Sequence, residues 1–272
     1  MNKKLLSAPY IIWIIGGTII PLAMIVFYGL TNGDGAFTFS NITAIAEPGH
    51  LKALLTALLL AAISTIICFV ISFPIAIILR RVKRYRNFII FIFILPMWMN
   101  FLLRTMAWQV LLEKGGVINS IISALGFEKM RLINTPAAVV MGMVYDFLPF
   151  MLLPINNAIS RIDDSYIEAA SDLGASNFTV VRKILLPMSV PGIVSGITMV
   201  FVPALTTFVI SNMLGGGKIY LIGNIIEQEF TVADNWNLGS GLSVVMMIFI
   251  LISMTLNVPK PLPISHQPFC NN

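Results

Sequence analysis

Long stretches without a charged residue constrain the fold of this chain more than any other feature of its sequence. The clearest runs from residue 54 to residue 79, where 26 consecutive residues include no Asp, Glu, Lys or Arg. An α-helix needs about 20 apolar residues to cross the hydrocarbon core of a bilayer. Charged residues make up 11% of the whole chain, whereas soluble globular domains contain about 25%. The chain is therefore predicted to be an integral membrane protein.

Six predominantly apolar stretches, two of them with a single ionisable residue, predict an all-α protein with six transmembrane helices. The first has the position of a secretory signal, but it is too long for a typical signal core and has no evident small-residue cleavage site, so we interpret it as a retained span. Pro74 predicts a kink in the second span, and the sixth, of about 15 residues, is shorter than the usual minimum of about 17. The predicted spans are residues 9–30, 54–79, 88–108, 137–156, 190–213 and 242–256, with a surface helix at 117–125 on the outer side.

A polar interval between the fourth and fifth spans has helix signals of its own. Ser165 is followed three residues later by Glu168, the spacing of a capping box that predicts a helix start. Gly174 predicts the end of that helix, because glycine accepts a left-handed backbone. Ser176 predicts the cap of a second short helix, which Pro187 should end. The interval is therefore predicted to form a bent helix–turn–helix.

The basic residues predict the orientation of the chain. Five of them lie in residues 80–86, directly after the second span, where we favour a cytoplasmic anchor over a nucleic-acid or lipid site. Eleven lysines and arginines fall on the side that this run shares with both termini and the helix–turn–helix, and five fall on the other side. This bias predicts that both termini and the helix–turn–helix are cytoplasmic. The eleven are Lys3, Lys4, Arg80, Arg81, Lys83, Arg84, Arg86, Arg161, Arg182, Lys183 and Lys260; the five are Lys52, Lys114, Lys129, Arg131 and Lys218.

The sequence lacks the motifs of several other function classes. It contains no Gly-x-x-x-x-Gly-Lys-Ser/Thr phosphate loop, so ATP hydrolysis by this chain is not predicted. Its cysteines and histidines lack partners at metal-ligand spacing, so no metal or redox cofactor is implied. An enzyme using Asp146 with Asp163 or Asp164 is disfavoured, because a continuous helix would separate these carboxylates by about 25 Å or more. A secondary transporter would need an internal repeat, and no duplicated half is seen.

Two ionisable residues lie inside predicted spans, where a charge costs at least about 2.5 kcal/mol. Asp146, near the middle of the fourth span, could accept an ammonium group from a cationic substrate beside the Tyr145 ring, or it could be a structural carboxylate bonded to a neighbouring helix. We interpret Arg104 as snorkelling or pairing with a carboxylate in preference to binding substrate. Trp98 and Trp108, with Tyr145, could line the substrate pathway or belong to the interfacial aromatic belt.

A predicted external loop opens with three glycines at residues 215–217 and contains Glu227, Glu229 and Asp234. These acidic residues could attract cations or dock a soluble substrate-binding partner, and a plain solvated loop is the alternative.

Seven residues of the helix–turn–helix resemble the signature loop, or EAA motif, of the inner-membrane permease subunits of bacterial ABC importers. The resemblance implies a type I ABC importer permease fold in the bacterial cytoplasmic membrane, with this loop as the coupling element that contacts the ATPase. It also implies an ATPase dimer that binds ATP and magnesium, a second homologous permease and an extracytoplasmic substrate-binding protein, and no nucleic acid. The matching residues are Glu168, Ala169, Ala170, Gly174, Ile184, Leu186 and Pro187.

Other stretches are similar to the spermidine/putrescine branch of these permeases, among them residues 103–108, 145–150 and 214–217. This similarity implies a pathway for polyamines. Branches for iron, sulfate or other small solutes share parts of these motifs, so a related importer is the alternative.

The resemblance predicts three parts in the chain. Residues 1–50 should form the first span and an external loop, and residues 51–257 a five-helix transmembrane domain with the coupling loop at 163–187. Residues 258–272 form a Pro-rich tail that departs from the short basic tail usual in the family. We expect this departure to weaken the last span and the assembly of the complex.

Overall fold

The computed structural model describes residues 3–82 and 84–256, so the predicted Pro-rich tail at residues 258–272 lies outside the described residues. The described part of the chain is helical and contains no strand, only one isolated bridge between Thr31 and Phe37. The all-α prediction is therefore confirmed for these residues.

Twelve helices, α1–α12, are used here to describe the fold, and short turns at Ser40–Thr43 and Ala44–Ala46 lie between the first two. The helices are α1 (Lys3–Ile14, a π-helical turn at Ile15–Ile19, and Ile20–Gly29), α2 (Pro48–Arg81), α3 (Arg86–Ile94 with a 3-10 turn at Leu95–Trp98), α4 (Phe101–Leu112), α5 (Val117–Ala124), α6 (Pro136–Ser160), α7 (Asp164–Asp172), α8 (Asn177–Val180, a π-helical turn at Val181–Leu185, and Leu186–Met188), α9 (Val190–Thr206), α10 (Val209–Gly215), α11 (Ile222–Thr231) and α12 (Trp236–Leu256).

Within residues 3–82 and 84–256, four helices are long and apolar enough to cross a membrane, and the number rises to six if each of two bent helix pairs is one span. In the first pair, α3 and the segment Phe101–Ala124 meet at 94°; in the second, α8 and α9 meet at 68°. The four continuous spans are Pro9–Gly29, Pro48–Arg81, Pro136–Ser160 and Trp236–Thr255.

The predicted third and fifth spans are wrong as continuous helices. The third breaks after Trp98, because Pro96 lacks a backbone N–H and Asn100 caps a new helix by accepting the Leu102 N–H at 2.9 Å. The fifth breaks between Thr206 and Val209, so the predicted 190–213 span is divided between α9 and α10. Pro74, by contrast, lies inside α2, which continues as helix to Arg81.

The last span is longer than the sequence predicted. It begins at Trp236 and not at residue 242, which gives α12 21 residues, enough to span a bilayer. Asn237 fastens its start to the end of α1 by donating to the Thr31 carbonyl at 2.7 Å and the Tyr28 carbonyl at 3.1 Å. These bonds satisfy carbonyls that a helix end leaves without intrahelical partners.

The core is built by α2, α6 and α9, which pack against one another. Small side chains form most of the buried stripe of α2, with Leu60 and Leu79, while many large apolar side chains of the same helix are exposed. Small residues let helix backbones approach closely, which is how helices pack in lipid. The buried stripe consists of Ala53, Ala57, Ala61, Ser64, Cys68, Ser72 and Ala76, and the exposed side includes Leu55, Leu59, Ile66, Val70 and Ile78.

Two glycines one helical turn apart bring α9 against α6. A Cβ atom added at Gly192 would lie 2.5 Å from the Ala158 Cβ and 2.6 Å from the Pro154 carbonyl oxygen. One added at Gly196 would lie 2.7 Å from the Met151 Sδ. The contact therefore requires glycine at both positions, in the Gly-x-x-x-Gly spacing of close membrane helix pairs.

We predict that Gly192→Val destabilises the protein by about 1–3 kcal/mol, because the added methyl groups would force α9 away from the α6 backbone. Thermal unfolding in detergent measures the effect. Gly16→Val is the matched control, since a Cβ at Gly16 meets no atom within 4 Å. Equal unfolding temperatures for the two variants would contradict this account of the α6–α9 contact.

Candidate functional site

The first helix of the helix–turn–helix begins at Asp164, and its cap is Asp163. The Asp163 carboxylate accepts the backbone N–H of Ser165 at 2.9 Å, and this bond holds the pKa of Asp163 below its ordinary value. The predicted capping box of Ser165 and Glu168 is therefore wrong. Ser165 lies inside the first turn, because the carboxylate two residues earlier caps the helix.

The turn between the two helices is a Schellman motif. Gly174 has a φ of +79° and donates its N–H to the Ser171 carbonyl at 2.9 Å, while the Ala175 N–H donates to the Ala170 carbonyl at 2.9 Å. These two bonds satisfy carbonyls at the end of α7, and glycine adopts the left-handed conformation without a Cβ clash. The predicted helix stop at Gly174 is confirmed.

Ser176 caps the second helix, as the sequence predicted, by accepting the Thr179 N–H at 3.3 Å. The helix does not end at Pro187 but continues to Met188. A π-helical turn at Val181–Leu185 precedes the proline, and its final bond joins the Leu186 N–H to the Val181 carbonyl. This wider turn fits beside a residue that cannot donate a backbone hydrogen bond.

The helix–turn–helix has one packed side and one exposed apolar side. Ile162, Val180 and Leu185 are buried together and form a small separate core, against which Ala170 and Ile184 pack. Three other large side chains of the element are exposed: Tyr166 is 55% exposed, Leu173 89% and Phe178 73%. Glu168 and Ala169 are exposed as well. We call Tyr166, Leu173 and Phe178 the exposed apolar group.

Arg80 joins the helix–turn–helix to the core. Its Nη1 donates to the Ile159 carbonyl at 2.7 Å, and its Nη2 donates to the Ile162 carbonyl at 2.7 Å and to Asp164 Oδ1 at 2.8 Å. One guanidinium thus links the ends of α2 and α6 to the start of α7. The sequence placed Arg80 in a cytoplasmic anchor, and only its position at a helix end signalled a carbonyl-binding role.

Four of the five predicted pathway residues lie together near the middle of α6. Arg104 and Asp146 are buried and form an ion pair, with Nε and Oδ1 2.7 Å apart. The guanidinium lies 5.7 Å from the Tyr145 ring centre, and that ring contacts Trp108 edge-to-face at 5.3 Å. Arg104 Nη1 also donates to the Pro96 carbonyl at 2.9 Å. The Asp146 carboxylate therefore has a cationic partner within the chain.

Trp98 lies apart from this cluster. It is 77% exposed and contacts Phe91 edge-to-face at 5.8 Å. Trp98 is the last residue of the 3-10 turn in α3, before the 94° bend, and in the described chain it has no ring contact with Tyr145 or Trp108.

The acidic residues predicted in an external loop lie mostly on a helix. Glu227 and Glu229 belong to α11, and Asp234, just beyond it, accepts the Trp236 indole N–H at 2.8 Å. Glu227 lines a largely apolar cavity of about 590 Å³ between α11, α12 and the end of α9. This cavity could not be predicted from the sequence, because its walls come from helices that hydropathy cannot place beside one another. They include Thr206, Phe208, Phe230, Met246 and Met247.

The family described as "Binding-protein-dependent transport system inner membrane component" matches residues 71–258, more than half of the chain. The chain belongs to this family. The matched residues include the whole helix–turn–helix and the three helix ends that Arg80 joins.

The permease is 34% identical over 268 residues to the spermidine/putrescine transport system permease protein PotB of Haemophilus influenzae, and the match covers 94% of each chain. It is also 34% identical over 245 residues to PotB of Escherichia coli, covering 87% of this chain and 89% of that protein. Its fold is similar to a chain in the crystal structure of a bacterial alginate ABC transporter in complex with alginate pentasaccharide-bound periplasmic protein, with a TM-score of 0.80, 16% identity and 93% and 91% of the two chains covered.

These relationships confirm the resemblance drawn from the sequence. The family match and the identity to the two PotB proteins show that the chain is a multi-pass inner-membrane permease subunit of an ABC importer, a transport subunit and not an enzyme. The likeness to the solved transporter shows the type I importer permease fold.

We predict that Asp146→Asn and Arg104→Gln each destabilise the permease by about 3–5 kcal/mol, because either change leaves one buried charge without its partner. The double variant should lose less stability than the two single variants together. Thermal unfolding in detergent of the unmodified protein, the two single variants and the double variant completes this double-mutant cycle. A stable Asp146→Asn permease that has lost uptake would contradict a structural pair and favour a substrate contact.

Proposed function

We propose that this permease forms half of a polyamine pathway and that its helix–turn–helix docks on the ATPase of the importer. The observation that supports docking is the exposed apolar group, Tyr166, Leu173 and Phe178, on a rigidly capped element. Apolar side chains exposed together on a membrane protein's polar end are typical of a protein interface. The ATPase dimer, a second permease and an extracytoplasmic binding protein complete the proposed assembly, and the solved alginate transporter includes a periplasmic protein.

We place the helix–turn–helix and both termini in the cytoplasm. The supporting observation is that three arginines at the end of α2 and the start of α3 lie at the same end of the helices as the helix–turn–helix. Arg80 donates to Asp164 and Arg81 to Asn177 in that element, and Arg86 donates to Ser160 at the end of α6. Basic residues beside the ends of spans mark the cytoplasmic side of bacterial membranes.

Arg80 connects the helix–turn–helix directly to the core helices α2 and α6. When the ATPase subunits close on ATP, they would displace α7 and α8 as one unit, because the Schellman turn and the small core of Ile162, Val180 and Leu185 hold them together. Arg80 would pass this displacement to α2 and α6. Their rigid-body movement against the second permease would alternate access to the pathway.

The proposed substrate follows from the 34% identity to two spermidine/putrescine permeases, with nearly the whole chain covered in one of them. A polyamine consists of ammonium groups joined by apolar methylene chains. The cavity beside Glu227 offers matching chemistry, with one carboxylate, two phenylalanine rings and methionine side chains. A cation gains from a carboxylate and from aromatic faces, and the apolar walls suit the methylenes.

The internal ion pair changes the role proposed for Asp146. A substrate ammonium could reach this carboxylate only by displacing Arg104, which lies 2.7 Å away and is buried with it. We therefore propose that Asp146, Arg104, Tyr145 and Trp108 hold α4 against α6. The exposed Trp98 stays a candidate lining residue of the pathway.

We predict that Leu173→Glu weakens binding of the ATPase about tenfold or more, because charging a central apolar contact of an interface costs about 2 kcal/mol or more. Co-purification of the ATPase with the tagged permease measures this. Leu125→Glu is the control, since Leu125 is also an exposed leucine but follows α5, away from the helix–turn–helix. Docking at this surface would be refuted by full ATPase recovery with Leu173→Glu.

We predict that Glu227→Gln raises the KM of spermidine uptake about tenfold with little change in kcat, because a charge-assisted hydrogen bond contributes about 1.5–3 kcal/mol. Uptake of labelled spermidine by proteoliposomes that contain the whole importer and its binding protein gives both constants. Glu229→Gln is the matched control, as it removes the same charge from the same helix outside the cavity. An unchanged KM for Glu227→Gln would remove this cavity from the pathway.

A further inference from the structure

A polar cavity lies where three helices end beside the helix–turn–helix. Its volume is about 480 Å³, within the range of small-molecule sites. It lies at the end of α2, the start of α3 and the end of α6, immediately before α7. Six polar residues line it, namely Arg80, Arg86, Ser160, Arg161, Asp163 and Asp164.

The two acids of this cavity are already engaged within the chain. Asp164 accepts from Arg80 at 2.8 Å, and Asp163 accepts the Ser165 N–H at 2.9 Å. Neither acid therefore needs a ligand to satisfy it. A cation is disfavoured as the occupant, because three guanidiniums surround the same space.

Two of the three arginines have guanidinium N–H groups without an acceptor in the described chain. Arg86 donates to the Ser160 hydroxyl, but its Nε is buried and has no hydrogen-bond partner among the described residues. Arg161 forms no ion pair with any residue that the structure describes. A buried guanidinium N–H without an acceptor is unfavourable, so the cavity favours a ligand that brings acceptor oxygens and negative charge.

The surroundings of the cavity identify the kind of anion. The guanidinium fork matches the oxygens of a phosphate group. Arg86 is the first residue of α3, and Phe88, Phe91 and Ile92 are exposed apolar side chains in the first two turns of that helix. A ligand with a phosphate head and apolar tails could place its head between Arg86 and Arg161 and its tails along α3.

We propose that this cavity binds the headgroup phosphate of an anionic phospholipid, such as phosphatidylglycerol. Basic pockets between membrane helices are suited to such headgroups. The lipid would neutralise Arg86 and Arg161 and leave Arg80 on Asp164, next to the coupling element. This lipid site rests on the proposed function in one respect only, namely that the cavity faces the cytoplasmic side of the membrane.

A contact with an acidic residue of the ATPase is the less favoured occupant. The cavity lies at the helix ends, whereas the exposed apolar group, none of whose residues line the cavity, is the surface proposed for the ATPase. Lipid headgroups lie at the level where membrane helices end, so a headgroup could reach this cavity without a segment from another chain.

The test is native mass spectrometry of the full-length permease in detergent with added dioleoyl phosphatidylglycerol or dioleoyl phosphatidylcholine. We expect phosphatidylglycerol to remain bound to the unmodified chain, and to be retained at least about tenfold less by the double variant Arg86→Gln/Arg161→Gln, which loses two cationic contacts. The control is Lys129→Gln/Arg131→Gln, which removes two exposed charges between α5 and α6. Equal retention by the two double variants would overturn the proposal.

Two competitors distinguish the possible sources of the anion. If inorganic phosphate displaces the lipid, the site binds a free anion and the proposal fails; if the purified ATPase displaces it, the site belongs to the interface and the proposal also fails. If the arginine double variant does not fold, the lipid preference of the unmodified chain still tests the proposal. It must prefer phosphatidylglycerol to phosphatidylcholine and lose that preference at high salt, as expected for paired charges, and no preference would count against an anionic-lipid site.

This experiment separates the lipid site from the transport function. Lipid retention is measured without uptake or ATP, so its failure leaves ATPase docking and polyamine import untouched. Conversely, a permease that imports no polyamine but retains phosphatidylglycerol would contradict the proposed substrate and support the cavity.

Discussion

The Arg80 guanidinium is the contact on which the position of the helix–turn–helix depends. A helix leaves its last carbonyls unpaired and has a partial negative charge at that end. Arg80 donates to a carbonyl in the last turn of α6, to the Ile162 carbonyl just beyond that helix and to a carboxylate at the start of α7. Because an arginine remains charged at any physiological pH and has five fixed donors, one side chain can hold three helix ends in a single geometry.

The helix–turn–helix was largely predictable, since its shape comes from bonds between near neighbours. Gly174 and Ser176 act through residues at most five positions away, so the sequence sufficed for both. The predicted cap at the start was wrong because two candidates stand only two residues apart, and Asp163 caps the helix where Ser165 was expected. The roles of Arg80 and Arg86 were missed for a different reason: their partners lie more than seventy residues further along the chain, and only the folded core brings them together.

The spans show what hydropathy does and does not determine. An apolar stretch predicts that a segment lies in the bilayer, but not that it is one straight helix. Pro74 and Pro96 are both prolines in apolar stretches, yet α2 continues through the first and the chain turns near the second. Asn100 accounts for the difference, because its side chain caps a new helix and stabilises the break. The small-residue stripe of α2 is likewise visible in the sequence, but its partner helices are not.

The acidic residues in and near the membrane differ in whether the chain itself neutralises them, and this difference indicates where a cationic substrate can bind. Asp146 is buried against Arg104, and this internal pairing removes the attraction it would otherwise exert on an ammonium group. Glu227 lines an open apolar cavity, its carboxylate contacting only a threonine hydroxyl at 3.2 Å in the described chain. A carboxylate without a cationic partner attracts a cation most strongly where apolar walls lower the local dielectric constant. Because Arg104 already neutralises Asp146, Glu227 in the cavity between α11 and α12 is the better candidate for a substrate contact than Asp146 in the middle of α6.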